Sequence, residues 1–306
     1  MINPIRTFAP NLLGRDFCIG DLHGSYSVFL NLLKELNFDL TVDRMFSVGD
    51  LVDRGPESLK CLGLIREPWF ASVLANHEQM MVQKFKGGIM GNYWYQNGGF
   101  WGAEAYNDTM DGCIPAEESV ELHELIPLVE ELPFLITVNT KSGKKFHLIH
   151  AELPTNAGTI TDARLADPVD LLALATTQRG DGDAFLWSRN IFYNLYSKNL
   201  ENKELTIANV KSRRINIFND DLSHIISGHT ILQKPVTVVG QTNIDTGAYN
   251  SYWQPAVPYS SAEIVPKDWA ALTCVELDTW KFYQATETTF REVEPVVITQ
   301  ADLDGK

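Results

Sequence analysis

The sequence predicts a mixed α/β fold that begins as a parallel sheet, on three observations. An apolar run ends in Cys18-Ile19-Gly20-Asp21-Leu22-His23-Gly24, and Val28, Phe29, Leu32, Leu33 and Leu36 then follow at helical spacing. Met45-Phe46-Ser47-Val48 runs into Gly49-Asp50, followed by Asp53-Arg54-Gly55 and a helix opened by Pro56. Ala71-Ser72-Val73-Leu74 runs into Ala75-Asn76-His77-Glu78. Each fragment reads as strand, tight turn and helix, so residues 15–77 form a β-α-β-α-β unit with a right-handed parallel sheet as its default. Ligands of open α/β sheets gather at the carboxyl ends of the strands, and all three ends carry oxygen or nitrogen donors.

The elements follow in order. At the first strand end, Asp21 and His23 are two apart in an extended segment and point the same way, so both can reach one metal ion, although such a pair alone reads equally as a capped turn beside a surface histidine. Past Glu78, Met80–Phe85 reads as a short helix. The stretch Tyr93-Trp94-Tyr95-Gln96-Asn97-Gly98-Gly99-Phe100-Trp101 has two open readings: aromatics packing a loop on the sheet, or a wall facing substrate. The acidic segment Glu117–Glu131, with Leu122, Leu125, Ile126 and Val129 on one face, is an amphipathic surface helix. Leu135–Val138 and Phe146–Ile149 flank Ser142-Gly143 as a hairpin. His150 falls at its end, and His147 points to the other face.

Residues 155–185 read as a helix around Val169–Ala175 and then a mobile loop. Its Arg179-Gly180-Asp181-Gly182-Asp183 run resembles a calcium loop only superficially, for want of the remaining ligands. Lys211-Ser212-Arg213-Arg214 is a basic cluster, either a solvated loop or an accessory anion contact. Ile225-Ile226-Ser227-Gly228 is a strand ending at His229. Val236–Val239, then Thr273–Leu277 paired with Lys281–Gln284, make the later strands largely antiparallel by expectation.

Composition bounds the function. The 306 residues are 44% apolar, enough for a sizeable core. A formal charge of −14 argues against a duplex nucleic acid partner, and an anionic substrate must be drawn in by a local positive site. The scattered Cys18, Cys61, Cys113 and Cys274 read as reduced thiols. No signal-peptide core and no apolar run of about eighteen residues is present, so a cytoplasmic protein without a membrane partner is expected.

The three strand-end motifs resemble those of the PPP-type metallophosphoesterases: Gly20-Asp21-Leu22-His23-Gly24, Gly49-Asp50-Leu51-Val52-Asp53-Arg54-Gly55 and Asn76-His77-Glu78. The Trp-containing Asn97-Gly98-Gly99 segment and Leu186-Trp187-Ser188-Arg189 are similar to elements of the lambda-phage-type serine/threonine protein phosphatases. The resemblance covers residues 15–280. It implies the calcineurin-like fold, two packed mixed β-sheets flanked by helices, in a single catalytic domain spanning 1–306 with a core at 15–285; 155–185 and 286–306 stay unassigned.

It also implies a site. Asp21, His23 and Asp50 hold one divalent ion and Asp50, Asn76, His150 and His229 a second, with Asp50 bridging. Oxygen and imidazole donors suit manganese first, with iron or zinc as alternatives. Such a pair generates hydroxide near neutral pH for in-line attack on phosphorus. Arg54 and Arg189 bind the phosphate, for which the guanidinium fork is suited. His77, paired with Asp53, is the general acid, its pKa raised by the carboxylate, and it is expected to point away from the metals. The implied activity is phosphomonoester hydrolysis on a phosphorylated protein or small phosphomonoester. The alternatives are a nucleotide hydrolase (symmetrical diadenosine-tetraphosphate type or 2′,3′-cyclic phosphodiesterase) and a non-catalytic pseudo-phosphatase. Two departures from the family pattern, Ala75 and Glu152 where glycines are common, are strained if those positions need φ > 0.

Overall fold

Period-two alternation builds the central layers. In β2 (Asp16–Ile19) the side chains of Phe17 and Ile19 enter one core and Cys18 another; in β3 (Arg44–Ser47) Met45 and Phe46 divide the same way. Strands buried on both faces need both faces covered. The computed structural model describes residues 3–88, 91–99, 101–102, 117–155, 157–175, 183–195, 200, 207, 219–251 and 269–304. Within them, β2, β3 and β4 (Phe70–Ser72) are parallel, and β10 (Leu272–Glu276), β11 (Lys281–Ala285) and β12 (Phe290–Val293) extend that sheet antiparallel beyond β2.

The second sheet runs β1 (Ile5–Phe8), β5 (Leu135–Asn139), β6 (Lys145–Leu148), β7 (His224–Ser227), β9 (Gln241–Asn243), β8 (Val236–Val238) and β13 (Val296–Ile298). The two sheets face each other across a shared core in which Phe46, Val48 and Val73 meet Ile136, Phe146 and Ile226. Helices close both outer faces. Tyr26–Glu35, Asn76–Phe85 and Glu117–Glu130 are on the side of the first sheet, and Asp162–Ala166, Pro168–Ala175 and Asp183–Trp187 on the side of the second. The architecture is the expected αββα.

The later strands are antiparallel as expected in the first sheet and only in part in the second. In the second sheet β5–β6 and β8–β9 are antiparallel, but β1–β5, β6–β7, β7–β9 and β8–β13 are parallel. The reason is the long segment between β6 and β7: a crossover carrying helices returns the chain in the same direction, as a short turn cannot. In the two segments left unassigned, described residues form further elements. Residues 155–185 hold Asp162–Ala166 besides the helix expected next to it, and the tail supplies β12, β13 and the helix Gln300–Asp304. The run Arg179–Gly182, the basic cluster Lys211–Arg214 and Cys113 lie outside the described residues. Cys18, Cys61 and Cys274 are free and buried. Among the described residues no helix is long and apolar enough to cross a membrane.

Phe46 sits between the sheets, fully buried, with its ring edge-on to Phe8 at 4.9 Å. Phe46→Ala removes a large side chain where both sheets are fixed, so the site cannot collapse to fill the gap. It should cost about 3–5 kcal/mol of stability, read as a lower denaturant midpoint with an unchanged slope. A loss under about 1 kcal/mol would show that the inter-sheet core does not carry the packing assigned to it.

Candidate functional site

Strand ends of the two sheets meet at one point. β2 ends at Gly20-Asp21, β3 runs to Gly49-Asp50 and β4 to Asn76 at the start of its helix; from the other sheet, β6 delivers His150 and β7 His229. These five side chains, and His23 two residues beyond Asp21, are buried. Asp50 is central. Its Oδ2 lies 3.3 Å from His23 Nε2 and 3.5 Å from His150 Nε2, and its Oδ1 accepts from the His77 amide at 3.2 Å. His23, Asp50 and His77 form one group able to hold a cation, and Asp50, His150 and His229 a second, with Asp50 common to both. Asn76 joins the second through Oδ1, 2.6 Å from His150 Nε2. Asp21 stands beside it with both carboxylate oxygens on the His229 amide, at 3.1 and 3.3 Å.

The backbone is bent to do this. His23, Asp50, Asp53, Arg54 and His229 all have φ between 43° and 74°, a left-handed conformation that costs a side-chain-bearing residue on the order of 1–3 kcal/mol. Among the described residues these five are the majority of the eight non-glycine positions with positive φ, so the strain is concentrated where the donors converge. A buried carboxylate holds the central turn: Glu78 accepts from the amides of Asp50, Leu51 and Val52 at 3.1, 2.8 and 3.3 Å. The two departures carry no strain. Ala75 is extended at φ −122° and its Cβ lies against Gly49, while Glu152 is absent from the positive-φ positions. Glycine is required elsewhere: a Cβ on Gly228 would come within 1.9 Å of Asp21 Oδ1.

The donor set fits divalent cations. His150 Nδ1 is 2.9 Å from the Val48 carbonyl, so it carries the ring proton and leaves Nε2 as a bare acceptor. That lone pair faces Asn76 Oδ1 at 2.6 Å, two acceptors converging as they would on a shared cation. His23 repeats the pattern, with Nδ1 donating to the Val52 carbonyl at 2.8 Å. A further carboxylate, Asp245, is buried beside Gly20-Asp21 with one oxygen lacking a hydrogen-bond partner.

With the protein's own groups alone, charge is unevenly spread. Burial works against Asp50, yet His150, His77 and His23 hold its carboxyl well below the usual range. Burial and the neighbouring Asp245 and Asp50 charges push Asp21 well above it. Burial and Arg54 lower His23 to about 4, and burial lowers His77 to about 3.

The arginines reach the centre from two directions. Arg54 donates to His23 Nε2 at 2.8 Å and His77 Nε2 at 3.0 Å, with Tyr249 stacked under its guanidinium at 4.8 Å. Arg189 donates through Nε to His229 Nε2 at 3.1 Å.

His77 and Asp53 pair at 2.6 Å. Two expectations about them are corrected. Desolvation outweighs the Asp50 charge in lowering His77 and raises Asp53 to about 7, so near neutral pH the imidazole is not charged and the Asp53 carboxyl is partly protonated. His77 also does not point away from the centre: residues 76 and 77 begin a helix, where neighbours diverge by about 100°, and His77 Nε2 lies 3.9 Å from Asp50 Oδ2. His147 does turn away, bonding Thr137 and Asp162. Sequence reasoning missed Glu78, Asp245, Tyr249 and the two tryptophans, Trp94 and Trp101, whose indole N–H groups donate to Asp53 at 2.9 and 2.7 Å.

Comparison with known proteins agrees with this geometry. A family model for calcineurin-like phosphoesterases matches residues 17–233. The chain is 33% identical over 233 residues to serine/threonine-protein phosphatase 2 of Salmonella typhimurium, covering 76% of this chain and 87% of that protein. It is 42% identical to a symmetrical bis(5′-nucleosyl)-tetraphosphatase of Dechloromonas aromatica, over 74 residues, 24% of this chain and 27% of the other. A solved serine/threonine phosphatase from Saccharomyces cerevisiae superposes with a TM-score of 0.52 at 15% identity, covering 89% of this chain and 76% of that one.

Metal removal exposes the cost of burying these carboxyls. Burial raises Asp53 and Glu152 to about 7 and Glu78 to about 8, against about 4 in an unfolded chain, while the histidines lowered by burial are half protonated at about pH 6.5 only when unfolded and oppose this in part until pH rises above it. Between about pH 7 and 8 the folded state therefore binds more protons than the unfolded one, and stability falls as pH rises, by on the order of 1 kcal/mol. The chelator-stripped protein should lose about 2 °C of unfolding temperature across that window in differential scanning fluorimetry, and added manganese should stabilise it more at pH 8 than at pH 7. A stripped protein that gains stability over the same range contradicts this balance.

Proposed function

The chain belongs to the calcineurin-like phosphoesterase family, and we propose that this metallophosphoesterase is a phosphomonoesterase whose substrates are phosphoserine and phosphothreonine side chains of proteins. The observation that carries the choice is the buried His77–Asp53 pair at 2.6 Å with His77 Nε2 turned to the centre. A seryl alkoxide is a poor leaving group and needs a proton donor; a nucleotide phosphate leaves without one. The relatives named serine/threonine phosphatases also align over 58–76% of the chain, and those named symmetrical tetraphosphatases over 20–45%. The whole chain, 1–306, is taken as one catalytic domain.

Asp21, His23 and Asp50 would hold one divalent ion, and Asp50, Asn76, His150 and His229 the other, with manganese the first candidate and iron or zinc next. Bound there, the ions supply Lewis-acid charge and acidify a water near neutral pH. The protein's own groups do the rest. Val52 and Val48 carbonyls fix the His23 and His150 tautomers. Arg54 and Arg189, both already turned to the centre, bind phosphate oxygens and orient the leaving group toward His77. Trp94 and Trp101 hold Asp53, which in turn fixes the His77 ring with Nδ1 toward the carboxylate. A phosphate dianion against Nε2 favours the doubly protonated ring, reversing the effect of burial. His77 then gives that Nε2 proton to the departing seryl oxygen.

The tetraphosphatase reading has the 42% identity over 74 residues behind it. Side-by-side assays with manganese of a phosphopeptide, nitrophenyl phosphate, diadenosine tetraphosphate and a 2′,3′-cyclic nucleotide separate the readings. Phosphopeptide turnover should dominate, and a preference for the dinucleotide would replace the proposal. Within the panel, His77→Asn should lower phosphoserine hydrolysis by roughly 10²–10⁴-fold and nitrophenyl phosphate hydrolysis far less, because a phenolate leaves unaided. Asp53→Asn should show the same bias more mildly. Equal losses on both substrates at intact metal content would remove His77 from the acid role.

A further inference from the structure

Glu152 lies two residues beyond His150, is 1% exposed, and touches none of the metal-site donors through its side chain. Its carboxylate is spent on another segment. Oε2 accepts from the Ile191 amide at 2.7 Å and Oε1 from the Phe192 amide at 2.9 Å. The preceding residue holds the same segment at its other end, where the Ala151 amide donates to the Phe185 carbonyl at 2.6 Å. Residues 185–192 therefore leave the Ala151 backbone and return to the Glu152 side chain, with Arg189 on the turn between. Gln241 secures the anchor by donating to the Ala151 carbonyl at 3.1 Å, and Ile191 and Phe192 are fully buried on the helix-covered side of the second sheet.

Two adjacent amides aimed at one group require two acceptors. A carboxylate presents two oxygens, whereas an isosteric amide presents one and sets its NH₂ against the second N–H. An amide left unsatisfied inside the protein is costly, so the turn would shift toward water or another partner. Arg189, two residues before Ile191, would shift with it.

We infer that Glu152 is the positioning residue for Arg189: its carboxylate, bidentate on the Ile191 and Phe192 amides, fixes the turn that carries the guanidinium to the phosphate. This rests on the reading of Arg189 as a phosphate contact. The role belongs to the residue type found at 152, since glycine has no side chain to make these bonds.

The test is calorimetric titration of inorganic phosphate into the manganese-loaded wild type, Glu152→Gln, Arg189→Ala and the double variant, with metal content measured on each. Arg189→Ala should weaken phosphate by roughly ten- to a hundredfold and Glu152→Gln by roughly tenfold. The double variant should bind no more weakly than Arg189→Ala, with two ions retained throughout. Should Glu152→Gln not fold, Glu152→Asp, one methylene shorter with both oxygens kept, is held to the same outcomes. Wild-type phosphate affinity in the Glu152 variant beside a weakened Arg189→Ala overturns the inference, as do additive losses or loss of metal with Glu152→Gln. Unchanged affinity in Arg189→Ala overturns the reading of Arg189 itself.

Discussion

The structure depends on holding the Asp50 carboxylate, buried and charged, at the point where two sheets meet. Burial of an unpaired carboxylate is prohibitive, and a buried charge persists only with partners around it. Here the partners are three imidazoles from three elements, His23, His77 and His150, set within 3.9 Å of Oδ2. None of them need be charged for the arrangement to favour a cation, since each offers a lone pair and Asp50 offers the charge. The left-handed backbone at Asp50, Asp53 and Arg54, and Glu78 gripping three successive amides, are the local cost of presenting it.

Neither sheet makes the site alone. Asp21, His23, Asp50 and Asn76 come from ends of the first sheet, and His150 and His229 from ends of the second. The bonds that join the halves cross between them: His150 to the Val48 carbonyl, and the His229 amide to Asp21. The spacing of the donors is thus set by the core between the sheets, where Phe46, Val48 and Val73 meet Phe146 and Ile226. Packing far from the chemistry fixes its dimensions, because close-packed interiors transmit small displacements.

What the sequence revealed and what it hid divide along a physical line. Strand, turn and helix in quick succession are local, and with the motif resemblance they made the αββα architecture and the convergence of Asp50, His150 and His229 readable in advance. Partners set by tertiary contact were not. Glu152 looked only like a misplaced side chain until the amides of residues 191 and 192 appeared beside it. Trp94 and Trp101 were left between core and wall, and Trp94 is a core residue that also donates to Asp53. β1, β12 and β13 escaped notice because edge strands alternate weakly and draw their register from neighbours distant in sequence. The direction of the His77 shift was misjudged because a sequence shows the carboxylate nearby but not the desolvation that outweighs it.

The proposed site rests on one carboxylate, Asp50, serving two cations. The most direct measurement is anomalous diffraction from crystals of the manganese-loaded protein, recorded at the metal edge. Two peaks about 3.5–4 Å apart, one among Asp21, His23 and Asp50 and the other among Asp50, Asn76, His150 and His229, are the predicted result. A single peak, or two that do not share Asp50, would contradict it.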